Sequence, residues 1–404
     1  MSEQKATSQP NTFQFFEVFV IFLKLGLTSF GGPIAHIGYF REEFVARRKW
    51  LDEESYADLV AMCQFMPGPA SSQVGMGLGM MRAGYPGAAA AWLGFTLPSA
   101  LAMILFAFGI ARLDMVAQGG WLHGLKVVAV AVVAQAVWGM AKSLCPDRSR
   151  ATLAILAAAL VIAWPTALGQ VTAIIVGAIF GWKYLQTDKT SSEQVIKPNK
   201  FSRKAGIVFL VVFAMLLLLL PMLATSPGAS AWTQIIDSFY RSGSLVFGGG
   251  HVVLPLLQAE VVPSGWLNNE LFLAGYGAAQ AVPGPLFTFA AYLGAVMSFG
   301  PSGWVGGLLA LVAVFLPSFL LVAGILPFWE AFRSKPMAQS ILRGVNAAVV
   351  GLLIAALYHP VWTSGILTGV DFIIALVSFG LLMFWKTPPW LVVVLAALAG
   401  GLTG

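Results

Sequence analysis

Phe30-Gly31-Gly32-Pro33, followed by Glu43, Trp50-Leu51, Glu54, Gln64 and Pro67-Gly68-Pro69, returns later as Phe247-Gly248-Gly249-Gly250, Glu260, Trp266-Leu267, Glu270, Gln280 and Pro283-Gly284-Pro285. The offset is 217 before the tryptophan and 216 from it onward. The chain therefore contains two copies of one pattern. The copies differ where orientation would show. The first carries Arg41, Arg47, Arg48 and Lys49 in its connection, while the matching stretch of the second, 258–270, has no Lys or Arg. Basic residues gather on the cytoplasmic side of membrane proteins. The copies read as inverted relative to each other, a signature of many secondary transporters.

Composition agrees with a membrane location. Apolar residues make up 58% of the 404 and charged residues 10%, against about 25% charged in a soluble domain. Apolar runs recur near 13–40, 56–81, 86–111, 121–142, 151–164 and 167–184. A basic link, 185–204, and one further run, 205–222, precede 232–257, 271–299, 303–328, 341–358, 366–385 and 388–402. The expected fold is an all-α polytopic membrane helix bundle of two inverted-topology repeats. Its first repeat is 1–184, its connecting unit 185–222 and its second repeat 223–404. The net charge of +6 lies in short loops between apolar runs, so it argues for topology and against nucleic acid. Cys63 and Cys145 form neither a disulfide framework nor a metal-ligand spacing. The polar 1–12 stretch leads into an apolar run with no small-residue cleavage site, so no cleavable signal peptide is expected.

The first two apolar runs of each copy are broken by glycine and proline. Proline removes a backbone donor and clashes with the preceding turn, and paired glycines weaken helix further. Each such run is expected to form two half-helices around an unwound point, either as a broken span or as a re-entrant hairpin. If all four are re-entrant and the N-terminus is cytoplasmic, 19 of the 23 basic residues fall on the cytoplasmic side, with only Arg112 outside and Lys24, Lys126 and Arg241 within membrane segments.

Several residues could carry chemistry. Lys24 and Arg241 each stand six residues before a break. A cation in a membrane segment costs at least ~2.5 kcal/mol at the bilayer centre, and snorkelling to the interface is the competing explanation. Half-helices starting at the breaks, at Gly31, Gly32, Pro67, Gly68, Gly248, Gly249, Pro283 and Gly284, present free N–H groups to an anion. Gln64 and Gln280 stand three residues upstream of each Pro-Gly-Pro, and Ser71, Ser72 and Thr288 just after it. These hydroxyls could donate to an oxyanion or simply cap helices. Lys126 is a third cation for such a path. Thr28 and Ser29 have no polar match in the second copy, where Leu245 and Val246 stand. His36 and His251 lie past the breaks, three positions out of register, and Glu43 and Glu260 do match; these four are candidates for proton coupling, against a structural role. Val74-Gly75-Met76-Gly77-Leu78-Gly79 lacks the Lys-Ser/Thr of a phosphate loop and reads as close helix packing. No metal motif is present, and no cofactor is expected.

Phe30-Gly31-Gly32-Pro33 with His36, Trp50-Leu51 and Pro67-Gly68-Pro69, together with Phe247-Gly248-Gly249-Gly250-His251 and Pro283-Gly284-Pro285, resemble the chromate ion transporter (CHR) family in its long, two-domain form. The resemblance covers both halves. It implies multi-pass residence in a bacterial inner membrane, efflux of chromate that confers chromate resistance, and a relation to sulfate, an oxyanion of the same shape and charge. Gly250 replaces the proline that follows the first Gly-Gly pair, so the two breaks need not match in detail. The expected partners are a small inorganic oxyanion and the lipid bilayer; a homodimer is left open. A sulfate carrier, an ion channel and an intramembrane enzyme on a lipid headgroup are the rival readings, and the last lacks a mirrored nucleophile.

Overall fold

The computed structural model describes residues 12–30, 32–112, 120–185, 201–247, 250–329 and 335–403. Gly31, Gly248 and Gly249, three of the glycines singled out above, lie outside the described residues. The chain is helical throughout its described part, with no strand there. Copy one contains α1 (Thr12–Thr28), α2 (Gly32–Arg41), α3 (Glu53–Phe65), α4 (Ala70–Arg112), α5 (Gly120–Leu144), α6 (Arg148–Ala163) and α7 (Ala167–Tyr184). A lone helix, α8 (Arg203–Ala224), leads to α9 (Ala231–Ser244), α10 (Val253–Val261), α11 (Asn269–Ala279), α12 (Phe289–Val296), α13 (Gly303–Ile325), α14 (Pro336–Ala356), α15 (Gly369–Met383) and α16 (Pro389–Thr403).

The two copies start their helices with the same devices. Asp52 caps α3 by accepting from the Ser55 N–H, and Asn268, its counterpart, caps α11 by accepting from the Leu271 N–H. Asp147 caps α6, and Thr368 with Asp371 forms a capping box on α15. Such caps satisfy backbone donors that a helix start leaves free.

Each broken run folds back on itself. Phe22 of α1 touches Phe40 and Phe44 at ring separations of 5.5 and 5.0 Å, so the chain reverses near residue 31. Leu59 packs on Gly77 across Pro67-Gly68-Pro69. Arg241 reaches Glu260 across the second glycine break. The Tyr292 hydroxyl donates to the Leu271 carbonyl at 2.9 Å across Pro283-Gly284-Pro285. Glycines let these arms lie close: Gly79 sits on Gly87 beside a bend at Ala83 and Gly84, and Gly294 sits on Gly306 in the other copy. Gly75, Gly77 and Gly79 are indeed close-packing positions, on different sides of α4: Gly75 meets Phe22, Gly77 meets Leu59 and Gly79 meets Gly87.

The rest of each copy is wound into the other. α5 packs along α15 and α16, and α14 packs along α6 and α7. The contacts match residue for residue. Gly124 lies against Ala396, and Gly400 against Gly120 and Gly124; in the counterpart, Gly344 lies against Gly177 and Gly181. Small residues spaced by four let helix backbones approach, the usual glue of helices in lipid.

Among the described residues, five helical stretches are long and apolar enough to cross a membrane: Ala70–Ile110, Gly120–Leu144, Arg203–Ala224, Gly303–Phe328 and Pro336–Gly365. If the four broken runs are re-entrant, nine of the thirteen apolar runs remain as full crossings. α6, α7, α15 and α16, of 16, 18, 15 and 15 residues, rise only about 22–27 Å at 1.5 Å per residue, short of a ~30 Å hydrocarbon core. α8 is apolar on all sides; one face packs on α9 and α13 through Phe213, Leu216 and Leu220, and the other, with Val208, Val211, Leu218 and Met222, is exposed, as a helix at a lipid-facing edge would be.

Candidate functional site

The four reversals meet. The Gly68 N–H donates to the Val246 carbonyl at 2.6 Å, and the Gly284 N–H donates to the Ser29 carbonyl at 2.9 Å. These are the same bond made twice, since Gly68 corresponds to Gly284 and Ser29 to Val246. Each Pro-Gly-Pro glycine holds the residue just before the glycine break of the other copy. Both glycines have positive φ, +121° and +95°, a region that side chains resist. Each also abuts a serine of the other copy: a Cβ on Gly68 would fall 2.5 Å from Ser318 Oγ, and one on Gly284 would fall 2.9 Å from Ser99 Oγ. Ser99 and Ser318 are fully buried. Sequence reasoning missed both, although Leu97-Pro98-Ser99 and Leu316-Pro317-Ser318 recur at matched places.

A cavity of about 70 Å³ opens at this junction. At ~10–15 Å³ per enclosed water it has room for about five water-sized bodies, the size of one central atom with four oxygens. Gly32 and Pro33 line it from the first break, Gln280, Gly284 and Leu286 from the second Pro-Gly-Pro, His251 from the start of the α10 arm and Gln135 from α5. The Tyr276 hydroxyl lies 2.7 Å from His251 Nδ1. If the hydroxyl donates, the ring carries its proton on Nε2 and offers it as a donor. Gln280 Nε2 donates to the Tyr276 carbonyl at 3.3 Å and keeps a second N–H. The lining residues include no Lys or Arg.

The other expected residues lie elsewhere. In copy one, Gln73 Nε2 donates to the Pro67 carbonyl at 2.6 Å, and His36, fully buried, lies 3.3 Å from Ser71 Oγ. Ser72 is buried behind it, and Gln64 is exposed. Thr288 donates to the Pro285 carbonyl at 2.9 Å, a turn-closing bond. Lys24 is exposed. Arg241 is held by Glu260 at 2.5 Å and Asp237 at 2.7 Å. Lys126 is largely buried, with Glu270 3.9 Å away. Glu43, the counterpart of Glu260, takes Arg48 at 2.6 Å and Arg47 at 3.1 Å. Burial raises its carboxyl, but Arg48 and Arg47 outweigh that and hold it below the ordinary carboxylate range. The sequence thus brings Gly32, His251, Gln280 and Gly284 into one cavity and keeps Lys24, Arg241 and Lys126 outside it.

At the open end of the copy-one hairpins, Arg82 lies 5.0 Å over the Trp50 ring and pairs with Glu17 at 2.9 Å. At the corresponding end of copy two, Trp266 stacks on Phe299 at 4.8 Å instead. One end is cationic and its counterpart aromatic, in line with the basic bias of the loops.

Comparison with known proteins gives this arrangement a family. The family described as Chromate transporter matches residues 16–182 and again 233–401, so one family unit covers each copy. A chromate transport protein of Pseudomonas aeruginosa is 28% identical over 397 residues, 96% of this chain and 91% of the relative. A chromate transport protein of Cupriavidus metallidurans is 25% identical over 401 residues, 96% of this chain and 93% of the relative. An uncharacterized transporter of Bacillus subtilis, YwrA, is 30% identical over 171 residues, which is 41% of this chain but 93% of the relative. No solved structure matches the chain. With both copies matched and full-length relatives on either side of the alignment, the chain belongs to the chromate transporter family.

Proposed function

We infer that this protein is a secondary carrier that exports chromate from the cytoplasm, with the dianion seated in the junction cavity between two inverted repeats. The reciprocal pair of bonds, Gly68 to Val246 and Gly284 to Ser29, carries this reading. It draws hairpin tips from both copies to one place, as expected of a transporter that binds at the repeat interface near the midplane. With the N-terminus cytoplasmic in a bacterial inner membrane, copy-one hairpins enter from inside and copy-two hairpins from outside. Rocking of one copy against the other about the tips then exposes the cavity to each side in turn.

The cavity chemistry suits transient binding. N–H groups near the start of α2 at Gly32 and in the turn at Leu286–Thr288 that leads into α12, the Gln280 amide and the His251 ring supply donors, and helix N-termini favour anions. Among the described residues no fixed cation lines the cavity, so affinity stays moderate and release is easy. The membrane potential supplies drive. One charge is worth ~2.3 kcal/mol per 100 mV, so with the inside negative a dianion leaves downhill by about twice that. Gln280→Ala is expected to raise the chromate KM about tenfold or more, since a hydrogen bond to a charged group is worth ~1.5–3 kcal/mol. Initial-rate flux in proteoliposomes measures this, and an unchanged KM would remove Gln280 from the site.

Sulfate presents the same tetrahedral set of four oxygens to these donors, so a sulfate carrier with incidental chromate transport is the second reading. Counterflow of labelled chromate and sulfate in competition, with the potential clamped and the pH gradient varied, separates the two. Chromate preferred over sulfate is the expected outcome, and exclusive sulfate exchange would overturn export of chromate as the function.

A further inference from the structure

One matched helical turn carries a buried carboxylate in the second copy and none in the first. Val20 and Lys24 of α1 correspond, at the offset of 217, to Asp237 and Arg241 of α9. Lys24 is exposed, whereas Arg241 turns inward. Its guanidinium donates to Glu260 at 2.5 and 3.0 Å and to Asp237 at 2.7 Å. Asp237 is 5% exposed and the Glu260 side chain 12%. One guanidinium thus faces two carboxylates, an excess of one negative charge.

Among the described residues no second cation pairs with these carboxylates: of the elements packed on α10, α7 has its lysine, Lys183, at the end remote from Gln170, α14 has Arg343 beside Gly344 where that helix lies on Gly177 and Gly181, and α11 has only Glu270, next to Lys126. α8, α10 and α13 pack against α9. α13 has no ionisable side chain, α10 contributes only Glu260, and Arg203 and Lys204 stand at the end of α8 remote from the turn into α9. Tyr240, on α9 itself, donates to the Phe213 carbonyl at 3.0 Å. Beside the cluster lies a cavity of about 10 Å³ lined by Gln170, Arg241, Ser242 and Glu260, room for about one water. Two buried polar atoms at this cavity have no protein partner: Arg241 Nε, a donor, and Gln170 Oε1, an acceptor, with Gln170 only 5% exposed.

An uncompensated buried charge is costly and tends to be neutralised. A metal ion would meet the guanidinium at close range in a space that holds a single water. A proton needs no such space, and a water between Arg241 Nε and Gln170 Oε1 would give it a route. We propose that the Asp237–Arg241–Glu260 cluster is a proton site of the carrier: one proton, shared by the two carboxylates, loads from outside and is coupled to movement of the oxyanion. The proposal rests on the carrier reading above. It also assigns the coupling to copy two alone, because Val20 leaves copy one without the second carboxylate.

The test uses the full chain in proteoliposomes. With the potential clamped, chromate export is expected to speed up when the external side is acidified. Asp237→Asn leaves Arg241 and Glu260 as a neutral pair. It is expected to keep potential-driven flux and lose the response to the pH gradient. A response retained in the variant, or absent in the wild type, overturns the proposal. So does a parallel loss of both fluxes in a variant that inserts normally, which is the mark of a structural clamp. Should the variant fail to insert, chromate added to detergent-purified wild-type protein is read with a pH indicator: a proton exchange of about one per chain is expected from linkage, and none overturns the proposal. Absence of any potential-driven chromate flux in the wild type is a different result, and it removes the carrier reading itself.

Discussion

Gly284→Val is expected to abolish chromate counterflow, and Gly68→Val to do the same. Both glycines sit at positive φ, +95° and +121°, where an ordinary side chain costs about 1–2 kcal/mol. The new side chain at 284 would also press on Ser99 Oγ at 2.9 Å and the Phe95 carbonyl at 3.1 Å. The second contact is backbone and cannot swing aside. Displacing the loop breaks the bond from the Gly284 N–H to the Ser29 carbonyl, a further ~1 kcal/mol. Together these two terms come to about 2–3 kcal/mol before the clash is counted, and each 1.4 kcal/mol is tenfold in an equilibrium. Flux is therefore expected to fall at least ~100-fold while the protein still inserts. Gly38→Ala is the control: it lies in α2, and nothing stands within 4 Å of its added carbon. Normal counterflow in Gly284→Val would show that the junction of the reversals is not where transport happens.

The second large effect concerns the two copies as bodies. Residues 1–184 and 185–404 produced separately are each expected to be degraded or aggregated. Produced together from two genes, they are expected to yield a functional carrier. α5 buries Leu122, Gly124, Leu125 and Val127 through Val133, largely against α15 and α16 of the other half and α11 beside them. α14 does the reciprocal with α6 and α7. Helices in lipid associate through close packing rather than through the hydrophobic effect, so the glycine seams decide the outcome. Gly344→Leu should prevent reassembly, because Gly344 lies directly on Gly177 and Gly181. Recovery of each half alone as a stable, monodisperse protein would contradict the interlocked arrangement. Size-exclusion chromatography of the separate and co-produced halves makes the measurement.

Much of this architecture was legible as pattern. Repetition at a fixed offset exposed two copies, and glycine with proline marked where the helices reverse, because those residues act locally through φ and the missing donor. Close packing at Gly75, Gly77 and Gly79 was legible for the same reason. The partners of the reversals were not. That Gly68 reaches Val246, or that Gly284 rests on Ser99, depends on how two distant hairpins meet, and no local propensity encodes it. Charge misled in a similar way. Lys24 and Arg241 occupy matched positions in sequence, yet one is exposed and the other is clasped by two carboxylates. The difference lies in Asp237, one turn away from Arg241, where copy one has valine. Gln280 and His251 were visible as polar residues near breaks, but their shared cavity emerges only when α11 and the α10 arm are brought beside Gly32 and Pro33.

The lone helix α8 packs one face on α9 and α13 and leaves an apolar outer face exposed. Its consequence is arithmetical. A single passage between two units that each start and finish on one face flips the sense of the second unit. In the inverted arrangement proposed above, a polypeptide of one unit's length would need a companion threaded the opposite way to build the same junction. If the repeats are inverted as proposed, fusion through α8 would fix their pairing at one to one and make the sense of the second unit a property of the gene rather than of chance encounter in the bilayer.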